Sequence, residues 1–94
     1  NVTLELGGNA PFIVFDDADL DLAIAHLRGM KFYNAGQICV CPNRIMVHES
    51  VHDAFVEKLK AAMSDIAVGN GQDATCNMGP LNNQKSFFKC TQYL

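Results

Sequence analysis

The chain has 94 residues, 49% of them apolar, and seven Lys and Arg against ten Asp and Glu, for a net charge of −3. This is the composition of a globular protein, in a chain short enough to be one small domain or part of a larger one. The basic residues are scattered, which excludes a nucleic-acid footprint, and no apolar run approaches a membrane span or the core of a signal peptide. Of the four cysteines, only Cys39 and Cys41 are close in sequence. That matches no zinc spacing, and so apolar a chain needs no disulfide framework, which leaves reduced thiols as the expectation. Asn1 opens directly into Val2-Thr3-Leu4, and the last residues read as a helix still running, so both ends are expected to lie within a longer polypeptide.

In chain order, Val2 to Leu6 is a candidate strand ended by Gly7-Gly8. Pro11 to Phe15 is a continuous apolar run, as in a strand buried on both faces of a parallel sheet. The acidic Asp16-Asp17-Ala18-Asp19 supplies an N-cap and first-turn charges for a helix carrying Leu20, Ala23, Ile24, Leu27 and Met30 at helical spacing. Asn34-Ala35-Gly36 ends it. Arg44 to His48 is the next strand. Ser50-Val51-His52-Asp53 resembles a capping box for a helix presenting Val51, Phe55, Leu59, Ala62, Met63 and Ile66 on one face. Gly69-Asn70-Gly71 is a turn that follows a helix, which is not the setting of a phosphate loop. A loop runs on to Pro80, and a third helix starts near Asn82. The order β-β-α-β-α-α predicts an α/β fold with a parallel sheet, without repeats or linkers.

Two residues stand out chemically. Cys39 follows a helix end in a Gly-containing segment, where the backbone can approach a ligand closely; a thiol there is a nucleophile if its proton is taken. Burial as a small apolar residue is the commoner fate of a free cysteine. Glu5 lies between leucines ahead of two glycines; if buried, its raised pKa would suit a general base, whereas an ordinary Glu faces solvent. His26, His48 and His52 have no paired ligands and read as surface or cap residues. Cys76 and Cys90 read as bystanders.

Taken together in order, Glu5-Leu6-Gly7-Gly8, then Phe15-Asp16-Asp17-Ala18-Asp19-Leu20-Asp21, then Asn34-Ala35-Gly36-Gln37-Ile38-Cys39 resemble the aldehyde dehydrogenase superfamily. Val68-Gly69-Asn70-Gly71 and Met78-Gly79-Pro80-Leu81 resemble further landmarks of it, so the resemblance covers the whole chain. Within the superfamily the strings from Glu5 to Asp21 and from Gly36 to Cys41 are most like succinate-semialdehyde dehydrogenases. One position departs: those enzymes usually have Arg before the Asn, binding the substrate carboxylate, and here Tyr33 stands there. A phenol cannot form a bidentate charge pair.

The resemblance implies that residues 1–94 are the N-terminal part of a catalytic domain, without the cofactor-binding domain, in an enzyme that oxidises an aldehyde, succinate semialdehyde first, with NAD or NADP. It implies that Cys39 forms a thiohemiacetal and then a thioester, and that Glu5 activates the water releasing the acid. It places Leu6 and Gly7 near the nicotinamide, Lys89 near the adenosine ribose and Tyr33 at the substrate. The oxyanion is shared between the nucleophile's N–H and an Asn upstream of this chain. Cys41 is implied as the partner of Cys39 in a redox-switching disulfide, and a strained i, i+2 disulfide is a reducible one; a small apolar filler is the alternative. The implied partners are a small aldehyde and further copies of the full protein, as a homodimer or homotetramer, with no nucleic acid or membrane. The implied compartment is the cytoplasm, or the mitochondrion in a eukaryote. A catalytically incomplete segment with a structural or interaction role is the second reading. A thiol redox module built on Cys39 and Cys41 is the third, and it lacks the Cys-x-x-Cys spacing.

Overall fold

The computed structural model describes residues 1–94. The elements are β1 (Ala10–Val14), α1 (Leu20–Lys31), β2 (Pro42–Val47), α2 (His52–Met63) and α3 (Gln84–Thr91), with 3-10 turns at Tyr33–Gly36 and Glu49–Val51. β1 and β2 pair in parallel, Phe12 opposite Ile45 and Val14 opposite Val47, so α1 is the crossover of a β-α-β unit. The α/β expectation holds with one strand fewer. Val2 to Leu6 forms no strand. Val2, Leu4 and Leu6 alternate as a strand would, yet all three are exposed. A strand is completed by a neighbour's ladder, and in this sheet β1 and β2 pair only with each other.

The apolar spacing of α1 turns Ile24 and Leu27 inward, where they meet Val14 of β1 and Phe55 of α2. Leu27 is wholly buried and Phe55 is 2% exposed; truncating such a Phe to Ala typically costs about 3–5 kcal/mol. Phe12, Ile45, Val47 and Leu59 close around this cluster. Asp19 caps α1, its carboxylate accepting from the Leu22 N–H at 3.0 Å, while Arg28 and Lys31 sit in the last turn, where the helix dipole favours cations. Lys58 of α2 pairs with Asp21 of α1, and Arg28 of α1 bonds both oxygens of Asp65, in the turn after α2, at 2.7 and 2.9 Å. Both pairs are open to water, which limits each to about 0–1 kcal/mol.

The start of α2 differs from the expected capping box. Ser50 lies inside a 3-10 turn and hydrogen-bonds His48 Nδ1 at 2.8 Å, and the N-cap position, Val51, has no side-chain acceptor to offer. His48 Nδ1 accepts from the Ser50 N–H instead, at 3.3 Å. The third helix starts where expected, with the Asn83 side chain accepting from the Ser86 N–H. The second face of the sheet carries Ile13 and Met46, both exposed. No helix is long and apolar enough to cross a membrane.

Candidate active site

After α1 the backbone turns through three consecutive left-handed residues: Asn34 at φ 50°, Ala35 at φ 55° and Gly36 at φ 74°. Asn tolerates this region and Gly prefers it, but an alanine there costs about 1–2 kcal/mol. Gly36 also has close neighbours, since a Cβ would lie a tight 3.1 Å from the Lys31 carbonyl oxygen and in ordinary contact, 3.4 Å, with Cys41 Sγ. Asn34 and Gln37 bond reciprocally: Asn34 Nδ2 donates to the Gln37 carbonyl at 3.2 Å, and Gln37 Nε2 donates to the Asn34 carbonyl at 2.9 Å. The remaining end of the Gln37 amide, Oε1, accepts from the Asn82 N–H at 2.7 Å.

Two residues beyond this brace, Cys39 is exposed, and its N–H donates to no acceptor in the protein. Gly8 lies directly on its peptide: a Cβ there would be driven into the Cys39 carbonyl oxygen, and would sit 2.9 Å from the carbonyl carbon and 3.4 Å from Cα. The next residue, Asn9, is held by its carbonyl, which accepts from Arg44 Nη2 at 3.2 Å. The structure therefore brings the segment carrying Glu5, Leu6 and Gly7 against the turn carrying Cys39. Glu5, Leu6 and Gly7 are all exposed, and the space a Cβ would take at Gly7 is open.

Cys41 is buried, at 1% exposure. Its Sγ is 3.7 Å from Lys31 Nζ and 3.6 Å from Asn43 Oδ1, and Lys31 Nζ donates to Asn43 Oδ1 at 3.1 Å. All four cysteines are free thiols. Tyr33, largely exposed, lines a cavity of about 250 Å³ together with Arg28, Phe32, Ile66, Asn77 and Met78. An apolar groove of about 770 Å³ borders the turn at Ala35 and continues along Met78, Pro80, Leu81 and Phe87. Lys89 is exposed in the last turn of α3, beyond the Asn82 tether. No group of His, Cys, Asp and Glu is placed to hold a metal.

The model of the aldehyde dehydrogenase family matches the whole chain, residues 1–94. The chain belongs to the aldehyde dehydrogenase family. It is 53% identical over 93 residues to a glutarate-semialdehyde dehydrogenase of Pseudomonas aeruginosa, and 52% identical to the succinate-semialdehyde dehydrogenase (NADP+) of Escherichia coli. It is 50% identical to a 3-sulfolactaldehyde dehydrogenase of Pseudomonas putida. Each alignment covers 99% of this chain and 19% of the relative, so the aldehyde dehydrogenase segment described here spans about a fifth of those relatives' length. The crystal structure of succinate-semialdehyde dehydrogenase from Burkholderia pseudomallei superimposes with a TM-score of 0.90 at 54% identity, over 96% of this chain and 19% of that one.

Three residues that help to build this candidate site were given no role of their own by the sequence: Gly8, Gln37 and Arg28. The doubled glycine after Glu5 was the available signal for Gly8. Gln37 stood inside the string ending at Cys39 and Arg28 stood in no motif, and neither partner could be read, because Asn82 and Asp65 are distant in sequence.

Proposed function

We propose that residues 1–94 form the N-terminal part of the catalytic domain of a full-length aldehyde dehydrogenase, which oxidises an aldehyde to the acid, with Cys39 as nucleophile and Glu5 as the base of the hydrolytic step. The observation that carries this reading is the contact of Gly8 with the Cys39 peptide. It sets the Glu5 segment against an exposed thiol just past the left-handed turn. Attack of the Cys39 sulfur on the carbonyl carbon gives a thiohemiacetal, and the unengaged Cys39 N–H is available to the oxygen as negative charge builds there. NAD or NADP would supply the hydride acceptor, so that the thiohemiacetal, losing a hydride from carbon and its hydroxyl proton to solvent, becomes the thioester. Glu5 then removes a proton from the water that opens the thioester. The open, side-chain-free flank at Gly7 suits the approach of a flat ring beside Leu6, and the exposed cation of Lys89 suits the adenosine ribose.

In the full-length protein, Cys39→Ala is expected to abolish aldehyde oxidation. Glu5→Gln is expected to preserve a stoichiometric burst of reduced nucleotide and to slow steady-state acid release. A Cys39→Ala variant that still turns over, or a Glu5→Gln variant with an unchanged steady state, overturns the assignment.

The relatives' names point to aldehydes with an acidic group at the far end, and succinate semialdehyde is the proposed substrate. Tyr33 cannot supply the charge pair for that group. Arg28 shares its cavity, but its guanidinium is bonded to Asp65. We therefore assign a modest preference for the acidic aldehyde over an uncharged one of similar length.

A further inference from the structure

We infer that Gln37 is a positioning residue of the reaction: its side chain locks the turn carrying Cys39 to the chain entering α3, and so fixes where the sulfur stands. The inference rests on the reading of Cys39 as the nucleophile.

The turn cannot hold its shape by local preference, because Asn34 and Ala35 occupy backbone conformations that L-residues rarely adopt. Such conformations persist only where the surroundings over-determine them. The backbone bonds are all short-range: Ala35 N–H donates to the Phe32 carbonyl at 3.2 Å, Gln37 N–H to the Asn34 carbonyl at 3.1 Å and Cys41 N–H to the Ile38 carbonyl at 3.2 Å, while Cys39 N–H is unengaged. Between Asn34 and Cys39, Gln37 supplies the one side-chain bond that leaves the turn, and its partner is forty-five positions further along the chain.

The polarity of the two partners fixes the orientation of the amide. Asn82 offers an N–H, so the amide oxygen must face it; Asn34 offers a carbonyl, so the NH₂ must face that. Glutamine has the reach and both functions to span the two, at 2.9 and 2.7 Å, and of these the bond to Asn82 is the one that leaves the turn. The tether also joins Cys39 to the start of α3, the helix on which Lys89 lies. A nucleophile displaced by an ångström from its acceptor loses about a hundredfold in rate, so loss of this brace is expected to act on the chemical step more than on substrate capture.

Three substitutions in the full-length protein separate the features of the side chain. Gln37→Met keeps the length and removes both hydrogen bonds. Gln37→Asn keeps the amide but is one methylene too short. Gln37→Glu keeps the length and the acceptor for Asn82 while losing the donor to Asn34. The measurements are the rate constant of the reduced-nucleotide burst, the KM for succinate semialdehyde and the thermal midpoint. The expected result is a burst slowed about ten- to a hundredfold in Gln37→Met and Gln37→Asn, with KM within about threefold, and a burst within about fivefold of the unmodified protein in Gln37→Glu. If Gln37→Met does not fold, the contrast of Gln37→Asn with Gln37→Glu carries the same test. A burst in Gln37→Asn within threefold of the unmodified protein, or equal losses in Gln37→Asn and Gln37→Glu, overturns the inference. Cys39→Ala measured alongside keeps the two readings apart. An inactive Cys39→Ala beside an unaffected Gln37→Asn sinks only the role of Gln37, and an active Cys39→Ala sinks the assignment beneath it.

Discussion

Gly8 is the residue whose side chain matters by its absence. Any Cβ there meets the Cys39 carbonyl oxygen, and backbone on both sides leaves no flexible tip to yield. Gly8→Ala in the full-length protein is expected to slow the reduced-nucleotide burst about a hundredfold and to cost about 1–3 kcal/mol of stability, as overpacking does; stopped-flow absorbance and thermal melts measure the two. Cys39 and Cys41 differ in the opposite sense. The first is open to reagents and the second is buried beside Lys31, so limited alkylation followed by peptide mass mapping is expected to label Cys39 while Cys41 stays protected. Tyr33→Arg is expected to raise the catalytic efficiency on succinate semialdehyde relative to butanal by about tenfold or more, the value of one charge-assisted contact. An unchanged ratio would show that position 33 does not read the substrate's far end. Asp73 gives a pH effect. The Thr75 N–H, then the Thr75 hydroxyl, hold its carboxyl below the usual carboxylate range. A group depressed in the folded state stabilises above its unfolded pKa and loses that contribution as pH falls through the folded value. The Asp73–Cys76 turn is therefore expected to open only in the acid range, which amide exchange at Thr75 and Cys76 would follow.

At the scale of elements, the parts legible in the sequence are those whose cause is local. The apolar run at Pro11–Phe15 and the I-M-V run after Arg44 became β1 and β2. The Asp19 cap and the stripe through Ile24 and Leu27 became α1 with its buried face. What was not legible has non-local or counter-propensity causes. Val2 to Leu6 alternates correctly but has no ladder to join. Ser50 is the exception with a local cause: it is diverted to His48, a competing partner two residues away. Asn34-Ala35-Gly36 was expected to end α1, which instead stops at Lys31 with Phe32 as its C-cap, and three left-handed residues in a row were not readable, because an alanine at φ 55° contradicts its own preference. Glu5 and Cys39 are linked in the sequence through motifs 34 positions apart, and the contact that brings their segments together exists only in three dimensions. Ala35 supplies a direct check. Ala35→Gly is expected to match or exceed the unmodified stability, whereas Ala35→Val, β-branched and left-handed, is expected to lose about 1–2 kcal/mol or more. Equal melts for the two would mean that the turn relaxes in solution.

At the scale of the molecule, six of 94 residues are buried, and the radius of gyration is 15.2 Å, against about 12 Å expected for a compact chain of this length. Ile13 and Met46 on the bare sheet face, and Val2, Leu4 and Leu6 along the N-terminal segment, leave much apolar surface in water. The isolated 94-residue chain is therefore expected to self-associate, to melt without a sharp transition and to oxidise no aldehyde with NAD or NADP. Light scattering behind size exclusion, calorimetry and a nucleotide assay test these outcomes, and a dilute monomer with a cooperative melt would contradict the first two.

The contact of Gly8 with Cys39 also has a consequence for assembly in time. One partner precedes β1 and the other follows α1, so the two meet only after the whole crossover has docked on the sheet. Loop closure of that kind comes late in folding, since the entropy of the intervening chain must be overcome first. Reactivity at Cys39 would then serve as a clock for the crossover: a refolding chain sampled by pulses of alkylating reagent should acquire its native rate of Cys39 modification only after Leu27 and Phe55 have come together.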